Sequence, residues 1–308
     1  MRNVLIFFLC LLLLTGCAPS ETAGEGYTFT DDTGAVATVP EKPEKVAVLL
    51  SSLADLWITA GGTVDITVGE TVERGFAPET VILVDAGAGK TIDLEGLVAA
   101  QPDFVLYSAD LSGQLECADT LRAAGIPAAG FTVETFADYL RVLKICTEIL
   151  GTPDRYQQYG IALKAEIDGL IAAAQTQEVQ PDILFVRAGS SAKYTKAKTA
   201  ENHFVCGMLK DLGTFNIAEK APILLDGLST EEILISDPDF ILFTTMGDES
   251  AGTAYMDSLI SDPVWQTLTA VKTGKVHQLP KELFQYKPNA RWGEAYAYLI
   301  ELIYGEIL

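Results

Sequence analysis

The sequence DLEGLVAAQPDFVLY at 93–107 has a similar second copy, STEEILISDPDFILF at 229–243. At a constant offset the two copies share a glutamate, Glu95 in one and Glu231 in the other, and a Pro-Asp-Phe turn. Each copy begins with a helix-capping residue, continues as a short helix and ends in an apolar run of strand length. A helix–turn–strand unit that occurs once in each half of the chain predicts two lobes of related construction.

Strand and helix patterns alternate on both sides of a long predicted helix. Lys45–Leu50 and Ile183–Arg187 have the length and the apolar composition of buried strands. Thr152 and Pro153 are typical of a helix start, and the helical pattern continues to about residue 174. This order predicts an α/β fold with a mainly parallel sheet in each lobe and a ligand cleft between the lobes.

Residues 1–16 have the layout of an export signal. Arg2 precedes the apolar run Val4–Leu14, which is too short to span a bilayer as a stop-transfer helix. The ending Leu-Thr-Gly-Cys resembles the bacterial lipobox, in which cleavage precedes a cysteine that carries acyl chains. The sequence predicts a lipoprotein signal peptide at 1–16, lipid attachment at Cys17 and a flexible tether at 17–26. The alternative is a plain signal peptide followed by a chance cysteine.

Composition argues against two classes of function. The formal net charge of −21 opposes nucleic acid binding, which needs a basic face on the protein. Cys117, Cys146 and Cys206 remain after the expected cleavage, and their spacing favours small buried side chains over disulfides or a metal site. The two histidines, His203 and His277, are too few for a zinc or manganese site of several converging ligands.

The order and spacing of further segments resemble the substrate-binding lipoproteins of ABC importers for ferric siderophores, haem and cobalamin. The segments that carry the resemblance are Val39-Pro40, Pro43–Val46, Gly61-Gly62, the two Pro-Asp-Phe units, Leu121–Pro127, Asp262–Trp265 and Ala270–Val276. The resemblance implies two Rossmann-like α/β lobes joined by a single long interlobe helix, with the ligand cleft between them. We place the N-terminal lobe at 27–152, the interlobe helix at 153–176 and the C-terminal lobe at 177–308.

The same resemblance implies a lipid-anchored monomer at the outer face of the cytoplasmic membrane. Such a protein binds a metal chelate without a cofactor or an enzymatic step and delivers it to an ABC permease. In this family a glutamate on each lobe pairs with arginines of the permease, and Glu95 and Glu231 match those glutamates in their local motif. The alternative for both is helix capping, since the helix dipole favours first-turn carboxylates and Ser229-x-x-Glu232 has the capping-box pattern.

Candidate ligand-binding residues of the first lobe lie near strand ends, where ligands of open α/β sheets bind. Those of the second lobe form a basic cluster after its first strand, and the resemblance implies that the segment before the final helix reaches the cleft. The candidates are Ser51, Ser52, Arg74 and Tyr107 in the first lobe, Arg187, Lys193, Tyr194 and Lys196 in the second, and Tyr286, Lys287 and Arg291. Arginine suits planar carboxylates or catecholates. The alternatives are a solvated loop for the basic residues of the second lobe and pairing of Arg291 with Glu294.

The basic and aromatic candidates favour a ferric siderophore as ligand, with haem or a corrinoid as alternatives. An alternative from another class is a lipid-anchored enzyme that processes such a ligand, for which Cys206 near His203 is the only hint in the sequence. A protein that binds bare zinc or manganese is the remaining alternative.

Overall fold

A computed structural model describes residues 26–85 and 91–305. The expected signal peptide, Cys17 and nearly all of the expected tether therefore lie outside the described residues. Within the described ranges, no helix combines the length and the apolar character that a membrane span requires.

The first lobe contains a hairpin and a parallel sheet. The hairpin pairs β1 (Tyr27–Thr30) with β2 (Val36–Val39) in antiparallel fashion. The five-stranded sheet has the order β5-β4-β3-β6-β7 and consists of β3 (Val46–Val48), β4 (Ile66–Thr67), β5 (Ile82–Leu83), β6 (Phe104–Ser108) and β7 (Ala128–Phe131). Its helices are α1 (Ser51–Thr59), α2 (Gly69–Glu73), α3 (Leu94–Ala99), α4 (Ser112–Ala123) and α5 (Phe136–Leu150). The strand order reverses between β3 and β6, which is the point where sheets of this type bind ligands.

The second lobe repeats the parallel arrangement around a second sheet. Its strands are β8 (Asp182–Ala188), β9 (Lys196–Ala197), β10 (Phe215–Asn216), β11 (Phe240–Thr245) and β12 (Val276–Gln278), in the order β10-β8-β11-β12 with β9 antiparallel on β8. A connecting helical stretch and the remaining helices are α6 (Pro153–Tyr156), α7 (Leu163–Gln175), α8 (Phe204–Asp211), α9 (Thr230–Ser236), α10 (Glu249–Ile260), α11 (Thr269–Lys272), α12 (Lys281–Phe284) and α13 (Trp292–Tyr304). Two α/β lobes with parallel sheets confirm the expected fold class.

The chain between the two sheets is helical from Pro153 to Gln175. The sequence predicts one regular helix here, but a π-helical turn over Gln157–Ala162 separates α6 from α7. In this turn the Tyr159 carbonyl accepts a hydrogen bond from the Tyr139 hydroxyl of α5 at 3.0 Å. α7 packs along α13, and the largest hydrophobic core extends through both lobes beside these two helices. The lobe boundaries at 152 and 176 stay predictions.

The repeated sequence forms the same unit twice, as α3–β6 and α9–β11. Asp93 accepts a hydrogen bond from the Gly96 amide at 3.0 Å and begins the first helix. Ser229 accepts one from the Glu232 amide at 3.4 Å and begins the second, which forms the backbone half of the expected capping box. Because each helix ends just before the amino end of its strand, the helix start lies at the carboxyl edge of the sheet. Both repeated units therefore direct their first turns toward the carboxyl edge of the sheet in their own lobe.

Candidate functional site

A cavity of about 290 Å³ opens at the carboxyl ends of the first sheet, and we call it the cleft cavity. Its walls come from strand ends and the segments that follow them: Leu50–Leu53 after β3, Glu70 after β4, Ser108 at the end of β6 with Asp110 and Leu111 after it, and Phe131 at the end of β7 with Val133 and Glu134 after it. The remaining wall is Gln285, Tyr286, Lys287 and Asn289, which we call the crossing segment. The cavity thus occupies the point where the strand order reverses, as ligand sites of Rossmann-like sheets do.

The crossing segment comes from the C-terminal part of the chain but is bound to the first lobe. The Asn289 side-chain amide donates to the Ser52 carbonyl at 2.8 Å and to the Asp55 carboxylate at 2.9 Å. Asn289 is buried and has a φ of 49°, a left-handed conformation that asparagine tolerates better than most residues. Burial raises the pKa of Asp55, although the Asn289 bond and the nearby Arg74 oppose this shift. A buried polar contact therefore fixes this wall of the cavity.

Arg74 lies directly behind the cavity wall. Its guanidinium is 4.8 Å from the centre of the Phe76 ring and 3.9 Å from that of the Tyr286 ring. Its Nη1 donates to the Ser51 hydroxyl at 2.9 Å, and the Ser51 hydroxyl donates to the Glu70 carboxylate at 2.6 Å. The serine and Tyr286 line the cavity, so Arg74 supports them from behind with a positive charge.

Lys287 and Glu134 form an ion pair at the edge of the cleft cavity. The distance between Lys287 Nζ and Glu134 Oε2 is 2.6 Å. The Lys287 ammonium also lies 4.7 Å from the centre of the Phe204 ring, which belongs to the second lobe. Burial lowers the pKa of Lys287, and the Glu134 carboxylate partly offsets this lowering. The pair thus joins the first lobe, the crossing segment and the second lobe.

A second cavity of about 290 Å³ lies beyond Glu134, and we call it the lobe-interface cavity. It is lined by the start of α5, by α8 and by Trp292 and Tyr296 of α13. His203, at the start of α8, lies 4.7 Å from the Phe185 ring and 5.2 Å from the Phe204 ring, measured between ring centres. Burial lowers the pKa of His203 to about 3, and the positive charges of Lys287, Arg187 and Lys198 act in the same direction. The imidazole is therefore neutral at physiological pH.

The second lobe contributes a group of half-buried cations, Arg187, Lys196 and Lys198, which we call the basic wall. Burial lowers the pKa of Lys198, and the charges of Arg187 and Lys196 lower it further. In the ranges that the structure covers, no carboxylate lies within ion-pair distance of these three side chains. An uncompensated cluster of this kind attracts anions.

Ser51, Ser52, Tyr286 and Lys287 line the cleft cavity together, and Arg74 touches three of them. Other candidates lie elsewhere. Tyr107 was expected near the ligand but is 0% exposed, with its ring over Gly130, because it points into the core of the first lobe rather than toward the strand ends.

Five further candidates line neither cavity: Arg187, Lys193, Tyr194, Lys196 and Arg291. Arg291 is exposed and makes two 2.7 Å hydrogen bonds to Glu294, as the alternative interpretation holds. Lys193 and Tyr194 are exposed on the loop before β9, where the Lys193 ammonium lies 5.3 Å from the Tyr194 ring centre.

Sequence reasoning missed the acidic side of the cavity, formed by Glu70, Asp110 and Glu134. The rule that singled out Ser51 would have found all three, since each follows a parallel strand. It also missed Asn289, whose contacts join residues far apart in the chain. The Pro-Asn sequence before a helix indicates a turn, but it does not indicate the partner of that turn.

Glu95 and Glu231 are both exposed, in the first turns of α3 and α9. Neither forms an ion pair with another described residue. Because both helix starts lie at the carboxyl edges of their sheets, each lobe presents one exposed carboxylate at that edge.

The structure offers little for metal binding or nucleophilic chemistry. Over residues 26–85 and 91–305, no three histidine, cysteine or carboxylate side chains converge as a metal site would require. Cys206 is buried and its Sγ bonds to the Lys198 carbonyl at 3.4 Å. Burial raises the pKa of the Cys206 thiol, whereas it keeps His203 neutral. The pair thus lacks the thiolate and imidazolium of an activated cysteine.

Comparison with known proteins identifies the family. The family model described as periplasmic binding protein matches residues 46–283. The Fe(3+)-citrate-binding protein YfmC of Bacillus subtilis is 22% identical over 293 residues, which cover 90% of this chain and 88% of that protein.

Solved structures share the fold at low identity. Staphylococcus aureus SirA, complexed with staphyloferrin B, has a TM-score of 0.71 at 16% identity and covers 92% of this chain and 100% of its own. The heme-binding protein RhuT of Roseiflexus sp. RS-1 has a TM-score of 0.68 at 19% identity, with coverage of 85% and 98%. With its two parallel sheets, its cavity at the strand ends and the family match over most of its length, the chain belongs to the periplasmic binding protein family.

Proposed function

We propose that the protein captures an anionic ferric chelate outside the cytoplasmic membrane and delivers it to an ABC permease. The observation that carries this proposal is the basic wall of Arg187, Lys196 and Lys198. In a chain with a net charge of −21, half-buried cations without a nearby described carboxylate indicate a site for an anionic partner. The similar Bacillus protein is named for ferric citrate, which belongs to this class of ligand.

The cations and the carboxylates suit different parts of such a ligand. The cations of the basic wall and of Lys287 attract its carboxylate or other anionic oxygens. Glu70 and Asp110, which line the cleft cavity together with Lys287, accept hydrogen bonds from hydroxyl or amide donors. This division favours a chelate that carries both anionic groups and hydrogen-bond donors over a bare anion. Haem and corrinoids are the competing ligands.

Titration of the purified protein tests the ligand class. Tryptophan and tyrosine fluorescence is followed with ferric citrate, a ferric catecholate, haem and cyanocobalamin, and with zinc and manganese salts as controls. Saturable binding of a ferric chelate supports the proposal, and a spectrum unchanged on standing supports binding without chemistry. Binding of the metal salts alone would overturn it. A bound spectrum that drifts as product forms would favour the enzyme alternative.

Membrane attachment and permease docking complete the proposed function. The lipobox-like sequence supports lipid attachment at Cys17, which holds the protein at the outer face of the cytoplasmic membrane. Fatty-acid labelling tests this step: wild-type protein incorporates the label and Cys17→Ser does not. The exposed carboxylates of Glu95 and Glu231, one on each lobe, support docking to a permease with basic surface residues. Charge pairs of this type set orientation and association rate more than affinity.

A further inference from the structure

Glu134 and Lys287 meet at the edge of the cleft cavity although they are far apart in the sequence. Glu134 also lines the lobe-interface cavity, so the ion pair stands between the two cavities. Any ligand that extends from one cavity toward the other has to pass this pair. The surroundings of the two side chains decide which of them can move.

Lys287 is held in place. Its side chain is 19% exposed, and its ammonium lies 4.7 Å from the centre of the Phe204 ring. Its neighbours are fixed to the first lobe, Tyr286 over Arg74 and Asn289 by hydrogen bonds. A buried ammonium without a counter-charge is strongly disfavoured. Lys287 therefore requires an anion beside it both with and without ligand.

Glu134 itself loses little when it leaves, provided that another anion then pairs with Lys287. Its side chain is 52% exposed, and among the described residues its carboxylate is hydrogen-bonded by Lys287 alone. A carboxylate that turns toward water regains its hydration, which is why exposed ion pairs contribute little to stability. The asymmetry between the two partners makes Glu134 the exchangeable one.

We propose that Glu134 is an internal stand-in for the ligand, which neutralises Lys287 until an anionic group of the ligand takes its place. The inference rests on the proposed function, because it concerns the same cavity. Two carboxylates beside one ammonium repel each other, so the anion of the ligand expels Glu134. A neutral ligand cannot replace the lost charge at Lys287 and leaves Glu134 where it is. Glu134 thereby selects ligands that carry a negative group.

The test compares dissociation constants of wild type, Glu134→Gln, Lys287→Met and the double variant. The probes are ferric citrate, iron-free citrate and a neutral ferric trihydroxamate. Glu148→Gln is the matched control, because it breaks an exposed ion pair with Lys144 that lies away from both cavities. Removal of the competing carboxylate is expected to strengthen citrate binding by about threefold to tenfold.

The expected pattern is specific. Glu134→Gln strengthens binding of the citrate probes and leaves trihydroxamate binding unchanged, whereas Lys287→Met weakens citrate binding about tenfold or more. In the Lys287→Met background, Glu134→Gln gives no gain, because there is no ammonium to release. Weaker or unchanged citrate binding by Glu134→Gln, or an equal gain for the trihydroxamate, would overturn the inference.

The two proposals fail in different ways. Wild-type protein that binds none of the ferric chelates overturns the proposed function. Iron-free citrate then still decides the exchange at Lys287: tighter binding by Glu134→Gln than by wild type supports it. Equal binding, including no binding by either protein, contradicts it.

Discussion

Asp103 and Asp239 make the same contact in the two lobes, each holding the start of the central strand of its own sheet. The Asp103 carboxylate accepts hydrogen bonds from the amides of Glu44 at 3.0 Å and Lys45 at 2.8 Å. The Asp239 carboxylate accepts one from the amide of Asp182 at 3.0 Å. The repeated Pro-Asp-Phe turn therefore sets the register of β3 with β6 and of β8 with β11.

Loss of these carboxylates should destabilise the two lobes unequally. Asp103→Ala frees two amides and is expected to lower the free energy of unfolding by about 2 kcal/mol, and Asp239→Ala by about 1 kcal/mol. Urea unfolding followed by circular dichroism measures both. Asp119→Ala, whose carboxylate is 94% exposed beside Arg122, is the control and should change stability by less than about 0.5 kcal/mol. Equal losses for Asp103 and Asp239 would contradict the hydrogen-bond count.

Asn289 should matter for stability as well as for the cavity. Asn289→Ala removes two hydrogen bonds and leaves Asp55 buried without its donor, so a loss of about 2 kcal/mol in the free energy of unfolding is expected. Asn289→Gly also loses the bonds but relieves the left-handed backbone, so it should cost less than alanine. Chemical unfolding of both variants is the measurement. A glycine variant less stable than the alanine variant would show that the left-handed backbone conformation at position 289 does not lower stability.

Stability should depend on pH through His203. Its pKa is lowered from 6.5 to about 3, so the unfolded chain binds a proton between these values that the folded protein does not. The free energy of unfolding therefore falls as the pH drops below about 6.5 and levels off near pH 3. Between pH 7 and pH 4.5 this group contributes a loss on the order of 2 kcal/mol. His203→Asn keeps a cap acceptor without titrating, and unfolding at both pH values should show a smaller loss for it than for wild type.

The basic wall should control affinity for anionic chelates. Arg187→Ala and Lys198→Ala are each expected to weaken ferric citrate binding about tenfold at low salt, with a smaller effect at high salt. Fluorescence titration at two ionic strengths measures this. Lys164→Ala removes a cation from an exposed ion pair of α7 with Asp168 and should leave affinity unchanged. An equal effect of the control would mean that net charge alone, rather than the basic wall, drives binding.

Glu95 and Glu231 should act after ligand capture. Glu95→Arg and Glu231→Arg are expected to reduce cellular uptake of the ligand about tenfold or more while leaving the dissociation constant of the purified protein unchanged. Asp93 and Ser229 cap the two helices independently of these glutamates, so the variants should also keep wild-type stability. Normal uptake by both variants would contradict a role of Glu95 and Glu231 in docking and would leave only their favourable interaction with the helix dipoles. Glu148→Arg is the control for an added positive charge elsewhere on the surface.

Most of the fold could be predicted from local sequence patterns. Capping residues, the Pro-Asp turns and short apolar runs depend on neighbours within a few positions, and α3–β6 and α9–β11 follow them closely. The π-helical turn at Gln157–Ala162 was not predictable in this way. The turn includes the Tyr159 carbonyl that accepts a hydrogen bond from Tyr139 of α5. A contact between two helices cannot be predicted from the spacing of residues within one of them.

The site was predictable only in part for the same physical reason. Strand ends indicated Ser51 and Ser52, because all parallel strands of a sheet end at one edge. The same rule failed for Tyr107, because β6 is buried on both faces and this side chain packs into the core of the first lobe beside Gly130. The pairing of Glu134 with Lys287 joins two loops, and loops follow no periodic pattern from which such a contact could be derived.

The late position of the crossing segment also bears on how the protein is made. The first lobe leaves the ribosome long before Tyr286, Lys287 and Asn289 are synthesised, yet these residues complete its cavity. Until Asn289 is in place, the Asp55 carboxylate lacks the side-chain donor that it has in the complete fold. A chain that ends before Gln285 would therefore lack one wall of the cleft cavity, however well the rest of the first lobe folds.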